Sequence, residues 1–155
     1  MRLEQDRQVR GRGRGRGARD VAPVHLPLLH ERVVVAQLRA AELLNIHAKP
    51  LNGARVLLLG VTYKKDIADQ RESPARPIAR KLLQRGAVLS YHDPYVDSWQ
   101  VDGRDIPRAA SPADAADLTI LLQAHSEYDL DGIAAHAHLL LDTRGSISGE
   151  SVYPL

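Results

Sequence analysis

A cluster of charged residues, between Gly60 and Pro74, is the stretch of the chain best suited to chemistry. It carries both cations and carboxylates: Lys64, Lys65, Asp66, Asp69, Arg71 and Glu72. Lysine and arginine bind anionic ligands, and arginine can hold a phosphate through two parallel hydrogen bonds. The alternative is a solvated loop whose charges pair with one another. The residue types therefore predict either an anion-binding loop or a self-paired surface loop.

A strand and a helix must position this loop. Residues 56–59 are an unbroken apolar run, typical of a strand buried on both faces, and Gly60 allows a sharp turn after it. Ser73 as the N-cap and Pro74 at the first helical position predict the start of a helix. Open α/β sheets bind ligands at the carboxyl ends of their strands, so we expect the loop at a ligand-binding edge.

The segments after residue 54 alternate between strand and helix patterns. Strands are predicted at residues 55–59, 87–91, 118–122 and 139–142, and helices or helical turns at residues 74–84, 111–116 and 132–137. Such alternation predicts an α/β fold with a mainly parallel sheet and right-handed crossovers.

The chain before this unit divides into a tail, a connector and a helix. Residues 1–20 hold seven arginines against three acids, while the remaining 135 residues carry a net charge of −2. We predict a disordered, dispensable Arg/Gly-rich tail and, at residues 23–27, an extended connector. Between residues 29 and 47, apolar side chains recur at helical spacing on one predicted buried face: Val34, Leu38, Ala41 and Leu44.

Several classes of function are not expected. The tail has no aromatic residue for base stacking, so we do not expect nucleic acid as a partner. The chain has no cysteine, and His136 and His138 have no acidic partner at ligand spacing, so we predict no metal site. Without an apolar span or signal-like segment, we expect a cytoplasmic protein with no membrane partner.

Two motifs resemble a known family. The string Gly60-Val-Thr-Tyr-Lys-Lys-Asp-x-x-Asp-x-Arg-Glu-Ser-Pro74 resembles the C-terminal, UDP-binding domain of the UDP-glucose/GDP-mannose dehydrogenase family. The segment Leu141-Asp-Thr-Arg-Gly145 is similar to a second signature of that domain. The resemblance runs over residues 29–146, and Lys49-Pro-Leu-Asn-Gly53 resembles the family's linker. It implies a Rossmann-like three-layer sandwich, with a tail at 1–28, a linking helix at 29–50 and a UDP-binding domain at 51–150.

The resemblance also implies roles for individual residues. Tyr63, Lys64 and Arg144 match positions that contact the UDP-sugar, and Arg71 matches an arginine that reaches NAD held mainly by another domain. No catalytic residue is assigned. Asp93 ends the second strand, where a dinucleotide fold places its ribose-binding acid, but the first turn has Gly60 without Gly-x-Gly-x-x-Gly. We therefore interpret Asp93 as structural and assign no full NAD site here.

Members of the family oxidise the C6 alcohol of a UDP-sugar to a carboxylate in two NAD-dependent steps, using a catalytic cysteine, in polysaccharide biosynthesis. The chain resembles the last third of such an enzyme, so we expect it to be inactive alone. Two classes of function stay open. One is a dehydrogenase fragment, either a pseudogene-like remnant or a half that works with a separate chain supplying the missing domains. The other is a non-catalytic module that binds UDP-sugars or proteins. A homo-oligomer also stays open.

Overall fold

The computed structural model describes residues 25–155, so the basic tail predicted at residues 1–20 lies outside it. The described elements, in chain order, are α1 His25–Ile46, β1 Arg55–Leu59, α2 Ala75–Gln84, β2 Val88–His92, β3 Gln100–Val101, β4 Arg104–Asp105, β5 Leu118–Leu121, α3 Leu130–His136, β6 Leu140–Asp142 and β7 Val152–Pro154. Within residues 25–155, no helix combines the length and the apolar character that crossing a membrane requires.

Five strands form one parallel sheet in the order β2-β1-β5-β6-β7. Strand β1 lies between β2 and β5, with Leu58 opposite Tyr91 on one side and Ile120 on the other. Parallel strands place all their carboxyl ends at one edge, so the loops after β1, β5 and β6 meet there. The predicted α/β fold with a mainly parallel sheet is confirmed.

Both faces of the sheet are covered, which explains the unbroken apolar run in β1. Val56 and Leu58 belong to the core cluster beneath α1 and α2, whereas Leu57 and Leu59 belong to the opposite cluster, with Ile133 of α3. Successive side chains of a strand point to opposite faces, so a strand covered on both sides must be apolar at every position. The expected three-layer arrangement is confirmed.

The segments outside the main strands differ from the sequence prediction, among them the short unpredicted hairpin of β3 and β4. Residues 111–116 form a turn instead of a helix, and the Ser111 hydroxyl accepts from the N–H of Ala113 at 3.1 Å. Such local side-chain bonds offer the backbone an alternative to a helix. The sheet also gains β7, a three-residue strand that was not predicted and that lies beyond the expected domain end at residue 150.

Helix α1 starts earlier than predicted, and its predicted set of apolar residues is only partly turned inward: Leu44 is buried and Ala41 packs against the core, but Leu38 is exposed. The extended connector predicted at residues 23–27 is wrong for residues 25–27, which are helical. A proline such as Pro27 is tolerated there because the first turn leaves its N–H groups without helical partners. Val33, Ala36 and Ala40 are buried, while Leu38 is 54% exposed, so the predicted inward position of Leu38 is wrong.

Candidate functional site

A pocket lies at the carboxyl edge of the sheet, where α1, α2 and the loops after three strands converge. Its volume is about 230 Å³. The residues that line it are Arg32, Ala36, Thr62, Tyr63, Pro74, Ile78, Leu122, Gln123, Thr143, Arg144 and Leu155. Two guanidinium groups thus border an otherwise mostly apolar cavity, which is the composition expected for a ligand with an anionic part and an apolar part.

Tyr63 reaches this pocket because hydrogen bonds close the loop between β1 and α2 on itself. The N–H of Tyr63 donates to the carbonyl of Asp69 at 2.7 Å, and the Gln123 amide donates to the carbonyl of Tyr63 at 3.0 Å. The loop is therefore anchored to the end of β5 as well as to its own strand. Tyr63 remains 38% exposed, so its ring is available to a ligand.

The cations of this loop have different environments. Lys64 and Lys65 are exposed, and neither forms a salt bridge within residues 25–155. Lys64 Nζ lies 5.9 Å from the centroid of the Tyr63 ring, beside the pocket but outside its lining. Two exposed lysines at a ligand-binding edge can neutralise an anion, which favours the anion-binding interpretation over a fully self-paired loop.

Arg71 is the self-paired member of the loop. Its Nε and one terminal nitrogen donate to the two carboxylate oxygens of Asp69 at 3.0 and 2.9 Å, and its side chain is 88% exposed. Hydrogen bonds from Arg71 lower the pKa of Asp69 to about 2. The pocket lining thus includes Tyr63 and Arg144 but neither Lys64 nor Arg71, and Arg71 is the one of these four residues that is paired with a carboxylate of its own loop.

Arg144 is positioned by a buried carboxylate that the sequence analysis did not single out. Asp142 is 1% exposed, and its two oxygens accept four backbone N–H groups, from Arg144, Gly145, Ser146 and Ile147, at 2.6–3.1 Å. This wraps the chain around the end of β6 and turns Arg144 toward the pocket. A carboxylate saturated by four donors is a structural anchor.

Arg32 lines the pocket and was not predicted from the sequence. It lies on α1, and one terminal nitrogen donates to the carbonyl of Thr143 at 3.0 Å, next to Arg144. The helical periodicity of α1 could have predicted that Arg32 faces the pocket, but only if the buried face of the helix had been identified correctly. Arg32 and Arg144 together give the pocket two positive charges from two different elements.

Gly60 and Asp93 pack tightly into the fold at the first βα turn. A Cβ on Gly60 would come within 2.4 Å of the Gln123 carbonyl oxygen, so this close approach of the backbone to the end of β5 requires a glycine. Asp93 is fully buried, and its oxygens accept from Val61 N at 2.8 Å, Tyr95 N at 2.8 Å and His125 Nε2 at 3.0 Å. A carboxylate so placed cannot reach a ribose, which agrees with the structural interpretation of Asp93.

Asp93 should make folding stability depend on pH. Burial raises the pKa of Asp93, but hydrogen bonds from His125 and the N–H of Tyr95 outweigh burial and leave the pKa below its ordinary value. The charged form therefore stabilises the fold above the unfolded-state pKa, and this contribution is lost as the pH falls through the folded-state pKa. We expect Asp93→Asn to lower the unfolding midpoint strongly at pH 7 and progressively less in urea titrations toward pH 3. A penalty that stays constant over this range would contradict the assignment.

The other histidines form no candidate metal centre within residues 25–155. His136 Nδ1 lies 2.7 Å from the carbonyl oxygen of Gly132, one turn earlier in α3. The ring of His138 lies edge-on to that of His47, with 6.2 Å between centroids. Both side chains have neighbours that account for their positions.

Comparison with known proteins agrees with this architecture. UDP-N-acetyl-D-mannosamine dehydrogenase from Methanocaldococcus jannaschii is 30% identical over 104 residues, which are 62% of this chain and 24% of that protein. UDP-glucose 6-dehydrogenase 2 from rice is 43% identical over 54 residues, 35% of this chain and 11% of that protein. The chain thus spans about a quarter or less of the length of these relatives.

Solved structures show the same fold. UDP-D-ManNAc dehydrogenase from Pyrococcus horikoshii superimposes with a TM-score of 0.63 at 20% identity, over 80% of this chain and 31% of that one. UDP-N-acetyl-mannosamine dehydrogenase from Staphylococcus aureus superimposes with a TM-score of 0.57 at 25% identity, over 79% and 29%. The sequence profile of the UDP-glucose/GDP-mannose dehydrogenase family, UDP binding domain, matches residues 57–149, and the chain belongs to that family.

Proposed function

We propose that the pocket binds the UDP part of a UDP-sugar. The observation that carries this proposal is the convergence of Tyr63 and Arg144 on one cavity, from the ends of two different strands. The aromatic ring offers a surface for an uncharged part of the ligand, and the guanidinium group can bind an anionic oxygen through two hydrogen bonds. Lys64 beside Tyr63 adds a further positive charge for the same anion.

The shape of the pocket supports a site that is completed by other protein. The cavity of about 230 Å³ adjoins a shallower depression of about 450 Å³ that shares Arg32, Thr143, Arg144 and Leu155. The bound part of a nucleotide sugar would therefore keep an exposed side that is open to contacts from other protein. We propose that those contacts come from the additional domains of a dehydrogenase, either in a longer chain or in a separate one.

In the complete reaction, this domain would bind and orient the substrate. The names of the relatives, UDP-N-acetyl-D-mannosamine dehydrogenase and UDP-glucose 6-dehydrogenase 2, support the dehydrogenation of a UDP-sugar as the reaction it serves. We propose that this reaction is the NAD-dependent oxidation of the sugar C6 alcohol to a carboxylate in the cytoplasm. NAD would accept the hydride. The cofactor itself would be held mainly by protein other than residues 25–155. Arg71, exposed outside the pocket, is free on its solvent side to add one contact to that cofactor.

Titration calorimetry with UDP tests the binding proposal. We expect weak but saturable binding by the 155-residue chain, and Arg144→Ala should weaken it by about 1.5–3 kcal/mol, the range for a hydrogen bond to a charged group. Arg104→Ala is the matched control, because Arg104 is exposed and does not line the pocket.

Two results would count against the proposal. The first is the absence of heat at millimolar UDP, which would remove the pocket as a UDP site. The second is equal binding by Arg144→Ala and Arg104→Ala, which would show that general positive charge accounts for the affinity.

A further inference from the structure

A buried histidine connects the β1–α2 loop to the end of β5. His125 is 1% exposed and follows β5. Its Nδ1 lies 2.9 Å from the backbone nitrogen of Asp66, and its Nε2 lies 3.0 Å from Asp93 Oδ2 and 3.2 Å from Thr62 Oγ1. The ring therefore contacts both the beginning and the middle of the loop that carries Tyr63 and Lys64.

These contacts determine the tautomer of the ring. The backbone N–H of Asp66 can only donate, so Nδ1 must accept and carries no proton. A carboxylate oxygen can only accept, so Nε2 must carry the proton and donate it to Asp93. The rings of Tyr95 and Tyr128, with centroids 4.9 and 5.7 Å from that of His125, restrict its orientation.

The loop needs such a support because its backbone is unusual at Asp66. This residue has a φ of +60°, a left-handed conformation that costs energy for a residue with a side chain. The Asp66 carboxylate accepts from the N–H and hydroxyl of Ser126 at 2.7 and 2.6 Å, next to His125. Both the backbone and the side chain of Asp66 are thus held by residues that follow β5.

The network extends from His125 to Lys64. The Thr62 hydroxyl donates to the carbonyl of Lys64 at 3.0 Å, which leaves its oxygen free to accept from His125 Nε2. The imidazole, through Thr62 on one side and Asp66 on the other, therefore fixes the backbone on both sides of Lys64.

We propose that His125 is a positioning residue that holds the β1–α2 loop in its ligand-binding shape by accepting the Asp66 N–H at Nδ1. The imidazole donates to Asp93 at the same time, and this second bond keeps the ring in the required tautomer. The consequence for ligand affinity rests on the proposed UDP function, whereas the consequence for the loop does not.

Two substitutions test the accepting nitrogen Nδ1 and the donating nitrogen Nε2 of the imidazole independently. In His125→Asn, the side-chain oxygen can replace Nδ1 as the acceptor for Asp66, but the donor to Asp93 is lost. In His125→Gln, the amide nitrogen can replace Nε2 as the donor to Asp93, but the N–H of Asp66 has no acceptor. His30→Gln, at an exposed histidine of α1, is the control for a change of residue type.

Amide hydrogen exchange followed by NMR is the decisive measurement. We expect exchange at the Asp66 amide to be at least about tenfold faster in His125→Gln than in His125→Asn, as for the loss of one buried hydrogen bond. UDP affinity should fall about tenfold in the Gln variant and much less in the Asn variant. Equal Asp66 exchange in the two variants would overturn the proposal.

The design also distinguishes this proposal from the proposed function. If the unmodified chain binds no UDP, the binding function fails, while Asp66 exchange still decides the role of His125. If neither variant folds, long-range ¹H–¹⁵N correlation spectra of the unmodified protein show which ring nitrogen of His125 carries the proton. A protonated Nε2 with an unprotonated Nδ1 supports the proposal, and the opposite tautomer overturns it.

Discussion

The purified 155-residue chain should produce no NADH from UDP-glucose, UDP-N-acetylglucosamine or UDP-N-acetylmannosamine. Hydride transfer requires a nicotinamide held beside C6 of the sugar, and in this family the second oxidation requires a thiolate that traps the aldehyde. The chain has no cysteine. The first βα turn carries Gly60 without the Gly-x-Gly-x-x-Gly pattern that holds a dinucleotide pyrophosphate.

Activity should appear when additional polypeptide supplies the NAD-binding and cysteine-bearing domains of such a dehydrogenase. In that complex, Arg71→Ala should raise the KM for NAD by about tenfold, equivalent to ~1.4 kcal/mol for one lost contact to a charged group. Arg76→Ala is the matched control, since Arg76 is also exposed and lies on neighbouring α2. Absorbance at the NADH band follows both experiments, and measurable turnover by the chain alone would refute the first expectation.

The part of the site that the sequence predicted is the part nearest the strand ends. Tyr63 and Lys64 lie shortly after β1, which ends at Leu59, and Arg144 lies shortly after β6, which ends at Asp142. In a parallel sheet, a strand determines at which edge such a residue lies, so a motif at that point has a known approximate location. Arg71 comes later in its loop, where the backbone path decides the position, and it lies outside the pocket.

The contacts that the sequence did not predict depend on the register of elements distant along the chain. Arg32 reaches the pocket because Val33, Ala36 and Ala40 turn inward on α1, whereas the apolar pattern also allowed a face through Leu38. With many apolar residues around a helix, periodicity alone leaves its rotation ambiguous. The role of His125 could not be predicted from the sequence for a similar reason. Its bond to Asp66 joins residues of two loops that are 59 positions apart.

The alternative that the charges of the loop pair with one another is correct for one pair, but it does not hold for the two lysines. Arg71 and Asp69 are two residues apart and form the pair that local spacing allows. Lys64 and Lys65 stay exposed because the nearest carboxylate in sequence, Asp66, is already bonded to Ser126. The structure thus assigns Asp66 and Asp69 to the shape of the loop and leaves Lys64 and Lys65 available for a ligand.

Asp142→Ala should destabilise the fold more than any other single change to a site residue considered above. Four backbone N–H groups donate to this buried carboxylate, and all of them lose their acceptor when it is removed. Each of these part-buried hydrogen bonds contributes about 1 kcal/mol, so we expect the free energy of unfolding to fall by roughly 3–5 kcal/mol when all four are lost. Urea unfolding followed by circular dichroism measures this loss.

Asp142→Asn tests whether the same contacts position Arg144 as well as stabilise the fold. The amide keeps one accepting oxygen but places an NH₂ group against two backbone donors, so the loss of stability should be about half that of the alanine variant. At a temperature where the variant remains folded, its UDP affinity should approach that of Arg144→Ala, because the loop that carries Arg144 is released. Asp97→Ala is the control, since the Asp97 side chain is fully exposed. If Asp142→Asn binds UDP as the unmodified chain does, Asp142 supports the fold without positioning Arg144.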